Sequence, residues 1–485
     1  MKDRQLVPTL EALKFTMNNP FSRYVLRYGL GFCEVCKESR LEHALEIFCG
    51  TSYAVKSSCT IYSFLVEMLL KTGGTIFGVR EENQFKEYFM DSTVRRGLTS
   101  VLRGIAKFGI TKPQLLDAPF LVVWNFTNAC NLNCKHCYQR AGKQTSDELS
   151  TEERLLVVEQ MARAGVVAIA FSGGEPLMSS DFYEVASKAK ERGMYVALAT
   201  NGTLITREVA KKLKDAGVGY VEISLDSATA DQHDAFRGIP GSYERTLRGI
   251  KNCIDEGIFT CIATTVTQEN LHEIPTIIDL AEKLGAKRFM AFNFIPAGRG
   301  EDVVDLDLSP EQREDLLKML FKRNTSGKIQ VLSTAPQFAR VSLELSGGEI
   351  VAPTHMYIGQ AYWGLKTLAE FIGGCGAGRL YCALQPNGDV SPCVFMPGLV
   401  VGNIRKTPFM DIWHQSEVMM KLRDRSLLKE NCKTCQYRYI CGGCRARALG
   451  YFKDISAPDP GCIRNKERYA NINKRGIQII ETVLA

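Results

Sequence analysis

Between residues 118 and 294, short apolar runs alternate with amphipathic segments at a pitch that leaves few folds open. Phe120 to Phe126, Val166 to Phe171, Tyr195 to Ala199, Tyr220 to Leu225, Ile258 to Val266 and Lys287 to Phe294 have the length and apolar character of buried strands. Helical patterns fill the intervals, at Ser150 to Ala164, Asp181 to Arg192 and Thr206 to Ala216. The first opens with Ser150 and, three residues on, Glu153, a capping-box signature. Repeated strand-helix units build parallel sheets. Six such units predict an incomplete barrel rather than a closed eightfold one, and chemistry in such folds collects at the C-terminal strand ends.

The sequence places its unusual residues at those ends. After the first strand comes Cys130-Asn-Leu-Asn-Cys134-Lys-His-Cys137, three thiols on one tight loop. A 4Fe-4S cube normally takes four cysteines. Nothing nearby supplies the fourth, so one iron would stay open to a ligand that is not protein. A zinc knuckle is the competing metal, although zinc sites favour paired C-x2-C elements and four protein ligands. Ser172-Gly173-Gly174-Glu175-Pro176 follows the second strand, Thr200-Asn201-Gly202 the third and Ser224-Leu225-Asp226 the fourth. Each taken alone is an ordinary turn. Glycines let a backbone come close to a ligand.

Together these motifs resemble the radical S-adenosylmethionine superfamily, whose signature is C-x3-C-x2-C at the end of the first barrel strand. The resemblance spans about three quarters of the chain. It implies a partial (β/α)6 barrel, a cluster on Cys130, Cys134 and Cys137, and S-adenosylmethionine chelated to the open iron. It further implies reductive cleavage to a 5'-deoxyadenosyl radical, with electrons from a flavodoxin- or ferredoxin-type reductant. His136 stands where the family has a planar group near the adenine. Gly173, Gly174, Glu175 and Pro176 match the loop that binds the methionine amino group. Thr200 and Asn201 match a cofactor-lining position, and Ser224 and Asp226 the ribose motif. Asp226 as a helix-cap or loop-fixing residue is the lesser alternative. Thr267, Asn270 and Pro296 to Arg299 fall at adenine-side and substrate-side positions, and Arg237 reaches a carboxylate or fixes its loop.

Downstream, Cys375-x6-Cys382-x10-Cys393 is followed by Cys432-x2-Cys435-x5-Cys441-x2-Cys444 and then Cys462. Eight thiolates are the number that closes two cubane clusters, and two structural zincs are the alternative. The array resembles the SPASM extension, including Gly388 five residues before Cys393. That resemblance implies one auxiliary cluster on Cys375, Cys382, Cys393 and Cys444 and a second on Cys432, Cys435, Cys441 and Cys462. Metal binding would supply much of the folding free energy of so loop-rich a segment.

Seventeen cysteines without an apolar export signal argue for metal ligation in a reducing compartment rather than for disulfides. They predict a cytoplasmic protein suited to an anaerobe. The formal charge of +7 is scattered, which gives nucleic-acid binding no support. Residues 1–117 read as a helical region, 118–300 as the barrel, 301–372 as a connector, 373–465 as the SPASM segment and 466–485 as a terminal helix. In the first, Val94, Leu98, Leu102, Ile105 and Phe108 form an apolar stripe, with Arg95, Arg96, Arg103 and Lys107 mostly elsewhere. Such a helix packs on its own domain or rests on an anionic membrane surface. Cys33, Cys36, Cys49 and Cys59 are candidates for a further metal.

The function expected is radical hydrogen abstraction from an unactivated carbon, with peptide or protein maturation as the first substrate class. In sulfatase-maturing relatives the residue after the third SPASM cysteine is an Asp base, and here it is Val394, beside Phe395, Met396 and Pro397. That apolar surface motivates the alternative of a hydrophobic small molecule, an isoprenoid lipid or a tetrapyrrole. A non-catalytic electron carrier is the remote alternative, since it needs none of the cofactor loops.

Overall fold

The structure, a computed structural model, describes residues 19–35, 38–53, 62–64, 66–67, 86–87, 89–351 and 366–475. Six strands form where the apolar runs stand: β1 (Leu121–Thr127), β2 (Ala168–Gly173), β3 (Tyr195–Thr200), β4 (Val218–Ser224), β5 (Phe259–Val266) and β6 (Arg288–Asn293). They pair in parallel in sequence order. The capping box forms at Ser150 and Glu153, and Gly165 closes that helix in the left-handed conformation at φ 88°.

The sheet is wider than six strands. β7 (Gln330–Ser333), within the connector, adds in parallel to β6. β8 (Tyr381–Leu384), within the cysteine array, adds in parallel to β1. β9 (Asp389–Ser391) and β10 (Gly402–Asn403) continue antiparallel, giving a ten-stranded order β10-β9-β8-β1-β2-β3-β4-β5-β6-β7. Four-residue strands such as β7 and β8 carry too little periodicity to be read from sequence.

Strand alternation sorts the side chains into two layers. Val122, Trp124 and Phe126 of β1 are fully buried against the helices. Trp124 stacks on Phe171 at 5.7 Å, and Phe126 meets Phe171 and Phe182 edge-on at 5.3 and 6.0 Å. Burying each such side chain contributes about 1.5–3 kcal/mol. The opposite face is lined largely by Ala168, Ala170, Ala197, Ala199 and Ala263, and these short side chains leave a cavity of about 470 Å³ inside the barrel.

The helix Ser92–Phe108 sits beneath this cavity, with Asp91 and Thr93 reaching its lower end. Arg96 donates to the carbonyls of Val166, Ala162 and Arg192 at 2.7, 2.8 and 3.0 Å. Arg95 bonds Phe89 and Met90 carbonyls and pairs with Glu46 at 2.9 Å. Arg103 lies over Gly165, and Lys107 pairs with Asp117 at 2.7 Å. The helix therefore packs on its own chain through its basic side as well as its apolar one. This removes the support that the amphipathic pattern lent to peripheral membrane contact. No described helix is long and apolar enough to cross a membrane.

The cysteine array covers the side that the sheet leaves open. β8 extends it from β1, while the helix Arg445–Phe452 meets the loop after β6, where Arg447 donates to Asn293 and to the Phe294 carbonyl. A buried cluster with Ile295, Ala297, Tyr381, Cys393, Met396 and Cys444 joins the two edges. Replacing Arg96 with Ala should destabilise the protein by about 1.5–3 kcal/mol, the scale of charged hydrogen bonds. The measurement is the denaturation midpoint.

Candidate active site

The loop from Cys130 to Cys137 leaves β1 and is held from three directions. From the β2 end, Gly174 N–H donates to the Thr127 carbonyl and Glu175 N–H to the Ala129 carbonyl, both at 2.7 Å. A Cβ on Gly174 would come within 2.1 Å of the Ala129 oxygen, so this approach requires glycine. From the helix Ala230–Arg237, the carbonyls of Arg237 and Phe236 accept from Asn133 and Lys135 N–H at 3.1 Å. From the loop after β6, Arg299 donates through Nε to the Cys134 carbonyl, through Nη1 to the Ala141 carbonyl (both 2.8 Å) and through its backbone to the Cys137 carbonyl.

All three thiols line the cavity. Burial pushes the Cys130 thiol up to about 12, with the neighbouring Glu175, Cys134 and Cys137 adding to the rise. Burial also raises Cys134, against the pull of Arg237, whose Nη1 lies 3.6 Å from its sulfur. Thiols so placed ionise only when a bound metal takes the charge, which fits a thiolate-ligated cluster.

His136 stacks on Phe236 at 4.4 Å and 11°. Its Nδ1 is buried with no hydrogen-bond partner among the described residues, and the residue lines the cavity. Burial, with Arg237 and Arg299 nearby, holds the ring neutral by lowering its pKa well below the usual histidine range. Gly173, Gly174, Thr200, Asn201 and Ser224 also line the cavity.

Three expected contact residues stand behind that wall. Glu175 is fully buried and accepts from Thr200 Oγ1 at 2.8 Å, Asn201 N–H at 2.9 Å and Leu177 N–H at 3.3 Å. Burial raises its pKa to about 7 in spite of these donors. Pro176 opens a single 3-10 turn. Asp226, expected at the ribose, is 2% exposed, pairs with Arg237 Nη2 at 2.5 Å and accepts from Thr265 N–H at 2.8 Å. Both its oxygens are engaged within the chain, so it fixes Arg237 rather than facing the cavity. Asn270 is similarly internal, accepting from Thr267 N–H and donating to the Asp226 carbonyl.

In the C-terminal array, Cys375, Cys393 and Cys444 gather with Tyr381. Cys432, Cys441 and Cys462 form a second group, and Cys435 ends the short helix Glu430–Thr434 that carries Cys432. Cys382 joins neither. It is fully buried in the helix-facing core. Its register partner is Val122, and partners in a parallel pair face the same side. Of the N-terminal candidates, Cys36 and Cys59 lie outside the described residues. Cys33 is buried, and Cys49 Sγ lies 3.6 Å from the Lys86 carbonyl.

Sequence reasoning missed two groups. Tyr138 Oη lies 2.9 Å from Ser172 Oγ and donates to Asn125 Oδ1 at 3.1 Å, while Asn125 donates to Gln385 at 3.0 Å. This polar chain crosses from the barrel to the cysteine array. Lower in the cavity, Glu222 accepts from Tyr220 Oη at 3.2 Å, and Arg288 lies over the rings of Tyr220 and Phe259 at 5.6 and 5.2 Å. The available signal was a lone charged residue, Glu222, in the Tyr220 to Leu225 run.

An open parallel barrel with a buried three-thiol loop, flanked by glycine turns and by two further thiol groups, defines an iron–sulfur, cofactor-dependent enzyme. The Radical SAM superfamily model matches residues 124–281, and SPASM, an iron–sulfur cluster-binding domain, matches 375–436. The AdoMet-dependent heme synthase of Methanosarcina barkeri is 38% identical over 357 residues, 72% of this chain and 97% of the relative. A mycofactocin maturase of Mycolicibacterium smegmatis is 34% identical over 72% of this chain and 83% of its own. In fold, Streptococcus suis SuiB bound to S-adenosylmethionine superposes with a TM-score of 0.62 at 15% identity, covering 87% of this chain and 92% of that one. The chain belongs to the radical SAM superfamily, with a C-terminal SPASM segment. Its cofactors are 4Fe-4S clusters and S-adenosylmethionine.

Arg237→Ala should destabilise the fold by about 3–5 kcal/mol, because it leaves Asp226 buried without its cation. It should also lower the midpoint potential of the loop cluster by removing an N–H donor from Cys134 sulfur; redox-titrated EPR measures this. Glu222 is raised by burial from 4.5 to about 7, against Tyr220 and Arg288. Between those values the folded chain binds more protons than the unfolded one, so this group makes stability fall as pH rises. Glu222→Gln should remove that fall, on the order of 1–3 kcal/mol between pH 4.5 and 7. Melts across the window test it.

Proposed function

We propose that this enzyme carries out radical chemistry on a tetrapyrrole. The carrying observation is the cavity wall: Val394, Phe395, Tyr381, Ile295, Phe292 and Phe294 present an apolar surface to the same space as the cysteine loop. A flat macrocycle suits such a wall, because apolar contact is where most small-molecule affinity comes from. The position after Cys393 carries Val394, so no acid or base is offered there. The heme synthase relative adds support, at 38% identity. Peptide maturation is the second reading, favoured by the maturase relative.

In this assignment Cys130, Cys134 and Cys137 hold the catalytic cluster, and the C-terminal thiols hold two auxiliary ones. A cluster held on that loop, with S-adenosylmethionine, would supply the radical chemistry for hydrogen abstraction. Around it, His136 offers a neutral planar face near the adenine, and the backbones of Gly173 and Gly174 bring the β2 loop against the methionine end. Thr200 and Asn201 orient Glu175 from one side. Arg237 and Arg299 keep the loop rigid. Tyr138 ties the loop to Ser172 and Asn125.

Anaerobically reconstituted protein should bind an iron porphyrin bearing propionates with a shifted Soret band. In the presence of reductant and S-adenosylmethionine, the porphyrin should change in mass as 5'-deoxyadenosine appears. An inert porphyrin with a mass change in a co-encoded peptide would transfer the assignment to peptide maturation. Phe395→Asp should weaken porphyrin binding at least about tenfold by placing a charge against an apolar ligand. Cys137→Ala should abolish 5'-deoxyadenosine release, whereas Cys435→Ala should retain part of it and lose product; paired chromatographic assays separate the two.

A further inference from the structure

We propose that Glu222 is a specificity-determining residue: a carboxylate arm of the substrate enters the barrel lumen beneath the cysteine loop, with the Glu222 carboxyl as its hydrogen-bond partner. The inference deepens the tetrapyrrole reading and rests on it, the arm being a propionate of the macrocycle.

Register puts the group there. On β4 the inward positions are Tyr220, Glu222 and Ser224, all on the cavity wall. Val221 and Ile223 between them are fully buried against the helices. Glu222 stands two residues before Ser224, so it lies about 6–7 Å down the strand from the level of the cofactor turns. Across the sheet one row of register partners runs Ala199, Glu222, Cys261 and Arg288. The carboxyl and the guanidinium therefore approach the lumen from strands two apart, with a small thiol between them. Ala170, Ala197 and Ala199 bring nothing longer than a methyl group to this part of the wall, which leaves room for an arm.

The contacts leave one oxygen for a ligand. Glu222 is half-buried and faces the cavity, with Oε2 accepting from Tyr220 Oη at 3.2 Å. Oε1 accepts no hydrogen bond among the described residues. Arg288 does not close on it. Its Nε and Nη2 donate to Gln330 Oε1 at 3.0 and 2.7 Å, and its guanidinium lies over the Tyr220 and Phe259 rings. A polar group only half satisfied in such a lumen is costly until a ligand completes it. At this level the neighbouring charge is the guanidinium of Arg288, so an anion is favoured over an amine.

Protonation points the same way. Burial raises Glu222 to about 7, against Tyr220 and Arg288. Tyr220 and Cys261 beside it, and Tyr195 lower on β3, are raised by burial and stay neutral. Asp91 lies at the lower end of the cavity. Glu222 is thus the group whose proton a bound carboxylate would share, in a charge-assisted hydrogen bond. The ring stays at the apolar wall of Val394 and Phe395, and only the arm goes down.

The test uses full-length, anaerobically reconstituted protein. Soret titrations from about pH 6 to about pH 9 follow an iron porphyrin with free propionates and its propionate methyl ester. Wild-type affinity for the free acid should fall about tenfold per pH unit above about 7, as Glu222 loses the shared proton. Glu222→Gln donates at every pH; it should match wild type at the acid end and hold that affinity throughout. Glu222→Ala should bind the free acid at least about tenfold more weakly at the acid end. The ester should bind all three proteins alike. A free acid bound with one pH profile by all three would overturn the role of Glu222 and leave the tetrapyrrole reading standing. Affinity that rises with pH and disappears in Glu222→Gln would overturn it as well, because it marks a cationic ligand. No Soret shift with wild type at any pH would remove the reading, and this inference with it.

Discussion

Everything in this protein is arranged around keeping three thiols, one buried and two half-buried, together at the mouth of a barrel. A thiolate in an apolar pocket is costly, and three side by side repel one another. The chain answers with cations and donors beside the loop. Arg237 sits against Cys134 sulfur and is itself fixed by Asp226; Arg299 grips the loop through three hydrogen bonds. Asp226 and Arg237 follow β4 and Arg299 follows β6, so the loop is tied to two other strand ends.

The same logic recurs in the C-terminal segment at larger scale. Arg379, Arg445 and Arg447 rank among the largest fully buried side chains, and Arg425 is nearly as deep. Arg425 donates to the Cys375 carbonyl at 2.6 Å and feels the charge of Cys375, Cys441 and Cys432. Burial, with Arg425 adjacent, pulls Arg379 down to about 9. Cations buried to this degree are compensated once the surrounding sulfurs carry negative charge. Metal binding is thus coupled to the folding of this segment, as is general for small thiolate-rich units.

The barrel itself is completed by parts that do not belong to its six repeats. A basic amphipathic helix lies under the lumen, its guanidinium groups on the carbonyls of the loops below the sheet. The cysteine array covers the open side and contributes Tyr381, Val394 and Phe395 to the cavity wall. Short alanine side chains keep the interior from filling. One cavity is consequently bordered by both the cysteine loop and the C-terminal array.

Sequence alone determined the six central strands, the capped helix after the first, the cysteine loop and the cofactor turns. Each is encoded locally, by apolar run length, by Ser150 with Glu153, or by fixed spacing within a few residues. It also named eleven candidate cysteines, because spacing survives without coordinates. Tertiary structure alone decided which way those residues point. Cys382 and Tyr381 are neighbours in the chain, yet pleating sends one into the helix-facing core and the other to the thiols. Asp226 reads as a ligand contact until Arg237, eleven positions on, takes one of its oxygens. The basic helix reads as free until the loops of the barrel floor occupy its charges. Local chemistry fixes what a residue can do; register and long-range packing fix what it faces, and no window of sequence contains both partners.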